Sequence, residues 1–171
     1  MGAAVGSAAG TRLRQDKRPT RADRRTAPPL ILIDANLLLY AYNPSFERHP
    51  HARQWLEDIL SRPERVWLTW VTLLAFLRIS TNSRAFANPL AIDEAAAIVS
   101  AWLELPMVGV LEPGERHWEI LKSLLVGTPV RAAEVMDAEL AAIAIEHGVT
   151  LHTTDRDFGR FSGLRVVNPL E

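Results

Sequence analysis

From Leu30 onward, short aliphatic runs alternate with longer stretches whose apolar residues recur at helical spacing, and this alternation restricts the fold more than any other feature. Leu30-Ile31-Leu32-Ile33 is a continuous aliphatic run ending at Asp34, as expected of a strand buried on both faces. Ala52, Trp55, Leu56, Ile59 and Leu60 form one stripe of a helix. Val66-Trp67-Leu68 reads as a short strand, and Val71 to Ile79 as a mostly buried helix capped by Thr69. Ile92, Ala96, Val99 and Leu103 mark a further helix, with Asp93 and Glu94 at the positive end of its dipole and Pro106 as its stop. Val108 to Leu111 is a strand, and Pro113 opens a helix carrying Trp118, Leu121 and Leu125. Met136, Leu140, Ile143 and His147 stripe the next helix, which Gly148 closes. Val149 to Thr154 and Arg165-Val166-Val167 are the last strands. The pattern predicts an α/β domain, with a central, mostly parallel sheet flanked by helices. Ligands of such sheets gather beyond the carboxyl ends of the strands, where the strand order reverses. Asp34 and Asp155 each directly follow a predicted strand.

The residue inventory narrows the chemistry. A length of 171 residues with 48% hydrophobic content suffices for one core. Cysteine is absent, which excludes disulfides and thiolate metal sites. His49 and His51 are close neighbours but lack the second pair that a zinc site needs. A bound metal would therefore have oxygen ligands, which favours Mg2+ or Mn2+.

Charge divides the chain in two. Residues 1–29 hold seven Arg and Lys against Asp16 and Asp23, whereas the remainder holds 12 basic and 18 acidic residues. Almost without large apolar side chains, residues 1–29 read as a disordered basic extension, with a nucleic-acid-binding arm as the sharper alternative. Residues 30–171 form the folded domain. Its acidic balance excludes a broad basic face, so any grip on nucleic acid is local, metal-mediated or borrowed from the tail. No apolar run approaches the ~20 residues that span a bilayer, and the opening MGAAVGSAAG lacks the form of a secretory signal.

Taken singly, the acids have ordinary structural readings. Asp34 could cap a helix beginning near Leu37, Asp137 could be a first-turn acid stabilised by the dipole, and Asp155 and Asp157 could flank Arg156 in a solvated turn. Together they put carboxylates at two strand ends and one helix start. The chain has neither a nucleophile elbow nor a phosphate-binding glycine-lysine loop. Carboxylates converging in one cleft repel each other, and a cation resolves the repulsion.

The stretches Ile31-Leu32-Ile33-Asp34-Ala35-Asn36-Leu37-Leu38, Val135-Met136-Asp137-Ala138-Glu139-Leu140-Ala141-Ala142 and Thr153-Thr154-Asp155-Arg156-Asp157-Phe158 resemble the three acidic motifs of PIN domains. The closing Gly163-Leu164-Arg165-Val166-Val167-Asn168-Pro169 is similar to the end of VapC toxins. The resemblance covers essentially all of residues 30–171. It implies a three-layer α/β sandwich and an endoribonuclease dependent on Mg2+ or Mn2+. By the same resemblance the enzyme is the cytoplasmic toxin of a VapBC-type pair, with an RNA substrate, a VapB-type antitoxin as partner, and a homodimeric state. Asp34, Asp137 and Asp155 then correspond to the metal-site acids, with Asp157 as a nearby helper. Asn36 matches a polar position beside the first acid. Arg78, Arg156 and Arg160 are candidates for phosphate contact, each with a surface role as the alternative.

One departure stands out. Where many PIN domains carry a glutamate on the second helix, this chain aligns Ala75. Glu134, three residues before Asp137, is the weaker option for replacing it, and Glu139 should point elsewhere. An RNA-processing nuclease without an antitoxin, or a catalytically silent binding module, remains an alternative. Trp55 and Trp118 are expected in the core, and Trp70 and Trp102 are left unplaced.

Overall fold

The computed structural model describes residues 30–171; the reading of residues 1–29 lies outside the described residues. The elements follow in the order β1 (Ile31–Ile33), α1 (Ala35–Tyr42), α2 (His49–Leu60), β2 (Val66–Thr69), α3 (Trp70–Ser80), α4 (Ile92–Leu103), β3 (Val108–Leu111), α5 (His117–Gly127), α6 (Val135–His147), β4 (Thr150–His152) and β5 (Arg165–Val167). Two single-turn 3-10 segments, Ala132–Glu134 and Arg156–Arg160, lead into α6 and follow β4.

All five strands are parallel, in the order β3-β2-β1-β4-β5. The side-chain period of a strand assigns neighbouring residues to opposite faces. Ile33 accordingly joins the core beneath α1 to α4, with Leu37, Leu56, Leu73, Phe76 and Trp102. Leu32 joins the core beneath α5 and α6, with Leu124, Leu140, Ile143 and Phe158. Helices cover both faces, which makes the expected three-layer sandwich. The chain steps from β1 outward to β2 and β3, then returns to place β4 on the other side of β1. The strand order therefore reverses between β1 and β4.

Local signals place several elements where the sequence puts them. Thr69 Oγ1 accepts the Thr72 N–H at 3.1 Å and caps α3. Gly148 ends α6 at φ 64°, a left-handed conformation that glycine adopts without penalty.

Two helices turn differently from their predicted stripes. In α4 the buried residues are Ala95, Val99 and Trp102, while Ile92 is 65% exposed. Glu94 fixes the first turn by accepting the Ala91 N–H, and the Trp102 ring packs edge-on against Phe76 at 4.8 Å. Burying that large indole sets the phase of the helix. The helix after Pro113 begins only at His117, because Glu146 accepts the N–H groups of Gly114 and Arg116 and holds the preceding loop. His117 and Leu124 take the buried positions, and Trp118, expected in the core, is 67% exposed. Trp55 is partly buried and stacks on His152, whereas Trp70 lies exposed at the start of α3. Met136, assigned to the apolar stripe of α6, is likewise exposed.

Candidate active site

Asp34 leaves β1 with its N–H still donated to His152 O of β4, so it stands at the junction where the strand order reverses. It occupies the N-cap position of α1, yet its side chain makes no capping bond. The carboxylate turns instead to Thr153, whose hydroxyl donates to Asp34 Oδ2 at 2.7 Å. Thr153 is fully buried, and its oxygen accepts Asn36 Nδ2 at 2.8 Å and the Asp155 N–H at 3.0 Å. A hydroxyl has one proton and two lone pairs, so Thr153 is saturated. This fixes the Asn36 amide with its nitrogen toward Thr153, and leaves Asn36 Oδ1 buried without a partner.

Asp155 follows β4 and caps the second 3-10 turn, its Oδ1 accepting the Asp157 N–H at 2.8 Å. Asp137 sits in the first turn of α6. Asp34, Asn36, Asp137 and Asp155 share one cleft of about 260 Å³, whose opposite wall is α3, with Thr72, Ala75 and Arg78. Thr72 Oγ1 donates to Ile33 O at 3.1 Å and ties that wall to β1.

The acids repel each other. Burial raises the Asp34 carboxyl from 3.8 to about 6, against the lowering effect of the Thr153 hydroxyl and the Ala35 N–H, and the charges of Asp137 and Asp155 add to the rise. Asp137 is also raised, by burial first and by Asp155 next, with the Arg160 guanidinium opposing. Among the described residues no three acidic or histidine side chains stand close enough to enclose a metal as they are. The donors nevertheless suit a hard cation that keeps several waters: three carboxylates of like charge sharing one cleft, and the orphaned carbonyl oxygen of Asn36.

The remaining sequence candidates divide. Arg78 lies exposed on the cleft wall. Arg156 does not line the cleft: the 3-10 turn swings it outward, and it pairs with Glu171 at 3.0 Å with its side chain 88% accessible. Asp157 is exposed and approaches the site through its N–H bond to Asp155 and its charge on Asp137. Ala75, the position aligned with the glutamate of other PIN domains, lines the cleft. Glu134 does not replace that glutamate; its oxygens are taken by the Arg131 N–H and by Arg160. Glu139 points away, to His117 on α5 at 2.8 Å. Arg160, which is not among the cleft-lining residues, has Nη1 3.1 Å from Glu134 and Nη2 3.6 Å from Asp137 Oδ2. Sequence reasoning missed Thr153. Its only signal was a threonine two residues ahead of a strand-end aspartate.

These features define a class: a parallel α/β sandwich with a carboxylate-lined cleft at the switch point of its sheet. Residues 31–164 match the PIN domain, and the chain belongs to the PIN-domain family. It is 41% identical over 138 residues to Ribonuclease VapC37 of Mycobacterium tuberculosis, covering 81% of this chain and 96% of that protein. It is 39% identical over 141 residues to Ribonuclease VapC33 of the same species, covering 82% and 99%. Among solved structures, it is similar to VapBC2 from Rickettsia felis bound to a promoter DNA fragment, at TM-score 0.59 and 16% identity, covering 81% of this chain and 98% of that one. It is also similar to the sarcin-ricin-loop-cleaving toxin VapC20 of M. tuberculosis, at TM-score 0.58 and 21% identity, covering 79% and 98%. At these identities the structural likeness is one of fold.

Proposed function

We propose that this protein is an endoribonuclease and the toxin of a VapBC-type pair, cleaving RNA phosphodiester bonds with a divalent metal held by Asp34, Asp137 and Asp155. The observation that carries the reading is the convergence of those three carboxylates on one cleft at the switch point of a PIN sheet. Relatives matched along nearly their whole length are named as VapC ribonucleases, which supports both the activity and the pairing with an antitoxin.

Mg2+ or Mn2+, when bound, would lower the pKa of a coordinated water and offset charge developing on the phosphate. The protein's part is to prepare the oxygens. Thr153 orients Asp34 and, through its hydrogen bond, favours the ionised carboxylate. Asn36 Oδ1, buried and without a protein partner, is left to accept a hydrogen bond from a water. Arg78 stands at the rim as a phosphate contact. Cytoplasmic action fits the reading, and no helix among the described residues is long and apolar enough to cross a membrane. A protein partner is supported by apolar side chains exposed beside the cleft, Trp70 and Leu74 on α3 and Val135 and Met136 on α6; the antitoxin, and a second copy in a homodimer, would use such surface.

The test is cleavage of an RNA by the purified chain with Mg2+ and with chelator, beside Asp34→Asn, Asp137→Asn and Asp155→Asn. Cleavage should require the metal and vanish in each variant. Metal-independent cleavage, or full activity in the three variants, would overturn the proposal. A silent binding module, favoured by Ala75 on the cleft wall, predicts no cleavage by the native chain.

A further inference from the structure

Arg160 is the one cation in ion-pair distance of a cleft carboxylate among the described residues. Its guanidinium is mostly enclosed, with 24% of the side chain accessible, and lies 5.0 Å from the centre of the Phe161 ring. Nε and Nη2 are buried and make no hydrogen bond. The guanidinium is turned toward protein carboxylates. It touches two acids, both at the start of α6: Glu134 Oε1 at 3.1 Å and Asp137 Oδ2 at 3.6 Å. Glu134 is itself anchored, since its Oε2 accepts the Arg131 N–H at 2.8 Å. The result is a chain of contacts from the 3-10 turn through Glu134 and Arg160 to one oxygen of Asp137.

We propose that Arg160 is a positioning residue for metal binding: tethered by Glu134, it engages Asp137 Oδ2 and leaves Oδ1 to face the cleft. The inference rests on the metal-dependent reading of the site. A bare guanidinium beside a metal ligand would repel the incoming cation. Here Glu134, the nearer of the two acids, offsets most of that charge, and the orienting effect outweighs the repulsion. Partners of metal ligands typically alter affinity 10- to 100-fold when removed, which sets the size of effect to look for.

The experiment measures Mn2+ binding to the full chain by calorimetry and by electron paramagnetic resonance, without RNA. Arg160→Gln should bind Mn2+ at least about tenfold more weakly than wild type, and Arg160→Lys should recover part of the loss. Glu134→Gln leaves the guanidinium charge unbalanced and its tether cut, so it should also weaken binding; it carries the test if Arg160→Gln fails to fold. Charge repulsion alone predicts the opposite for Arg160→Gln, and wild-type or tighter binding there, or in Glu134→Gln where the first does not fold, would overturn the proposal. Asp137→Asn separates the two levels of argument. If it abolishes Mn2+ binding while Arg160→Gln does not weaken it, only the role of Arg160 falls. If wild type itself binds no Mn2+, the metal-dependent reading falls and this inference with it.

Discussion

Thr153 Oγ1 lies 2.7 Å from Asp34 Oδ2 and, with the same oxygen, receives Asn36 and the backbone of Asp155, so one buried hydroxyl joins three residues of the cleft. Two of them come from the β1 side of the switch point and one from the β4 side. The hydroxyl locks together the two strand ends whose divergence opens the cleft.

Thr153→Val keeps the shape and removes the hub. It leaves Asp34 and Asn36 without that partner inside the protein, which should cost about 1–3 kcal/mol of stability. The Thr153 bond lowers the Asp34 pKa, so its loss should raise that pKa further above about 6 and move the acid limb of the cleavage–pH profile to higher pH. Thr153→Ser keeps the hydroxyl and should leave the acid limb in place, while losing about 1 kcal/mol of stability with the buried methyl. Denaturant melts and a pH–rate series check this, and an unchanged acid limb in Thr153→Val would break the link between the hydroxyl and Asp34.

Asp34 also makes the metal-free protein sensitive to pH. Its carboxyl ionises near 6 in the fold, against 3.8 for the free side chain. Between those values the folded state binds the extra proton, so the contribution of this group to stability is fully present below pH 4 and declines as pH rises through 6. Asp34→Asn lacks that decline. In chelator at pH 8 it should be more stable than wild type by on the order of 1–2 kcal/mol after allowing for solvent screening, with the gap closing at pH 4. Melting curves at the two pH values decide it. A constant difference between them would mean that Asp34 is not held above its ordinary range.

The sequence made local devices legible and left tertiary ones obscure. The Thr69 cap, the left-handed Gly148 and the acids ending β1 and β4 are each set by a few adjacent residues. The phase of α4 is not, because Trp102 is drawn inward by Phe76, and neither is the start of α5, which a glutamate on α6 delays. Arg156 and Arg160 share one 3-10 turn and look equivalent in sequence. Only the fold shows that one reaches Glu171 and solvent while the other reaches Asp137. Thr153 was hidden for a related reason: its three partners converge from β1, α1 and the turn after β4, and no spacing along the chain reports that convergence.

α3 offers the cleft no carboxylate at Ala75, the position aligned with the glutamate of other PIN domains. Ala75 lines the cleft on the wall facing Asp34, Asp137 and Asp155, so a longer acidic side chain there would enter the cleft instead of the core. Ala75→Glu should supply a fourth oxygen ligand and tighten Mn2+ binding, because affinity for hard cations rises with ligand charge. It should also sharpen the repulsion already felt by Asp34 and Asp137. In chelator at neutral pH the variant should therefore melt below wild type, by a few degrees if the added repulsion is worth about 1 kcal/mol. Saturating Mn2+ should reverse the order, since a ligand that binds only the folded state stabilises it by mass action. The crossing of the two melting series is the decisive result. A variant that is less stable with and without Mn2+, and binds it no more tightly, would show that position 75 is not where this site lacks its acid.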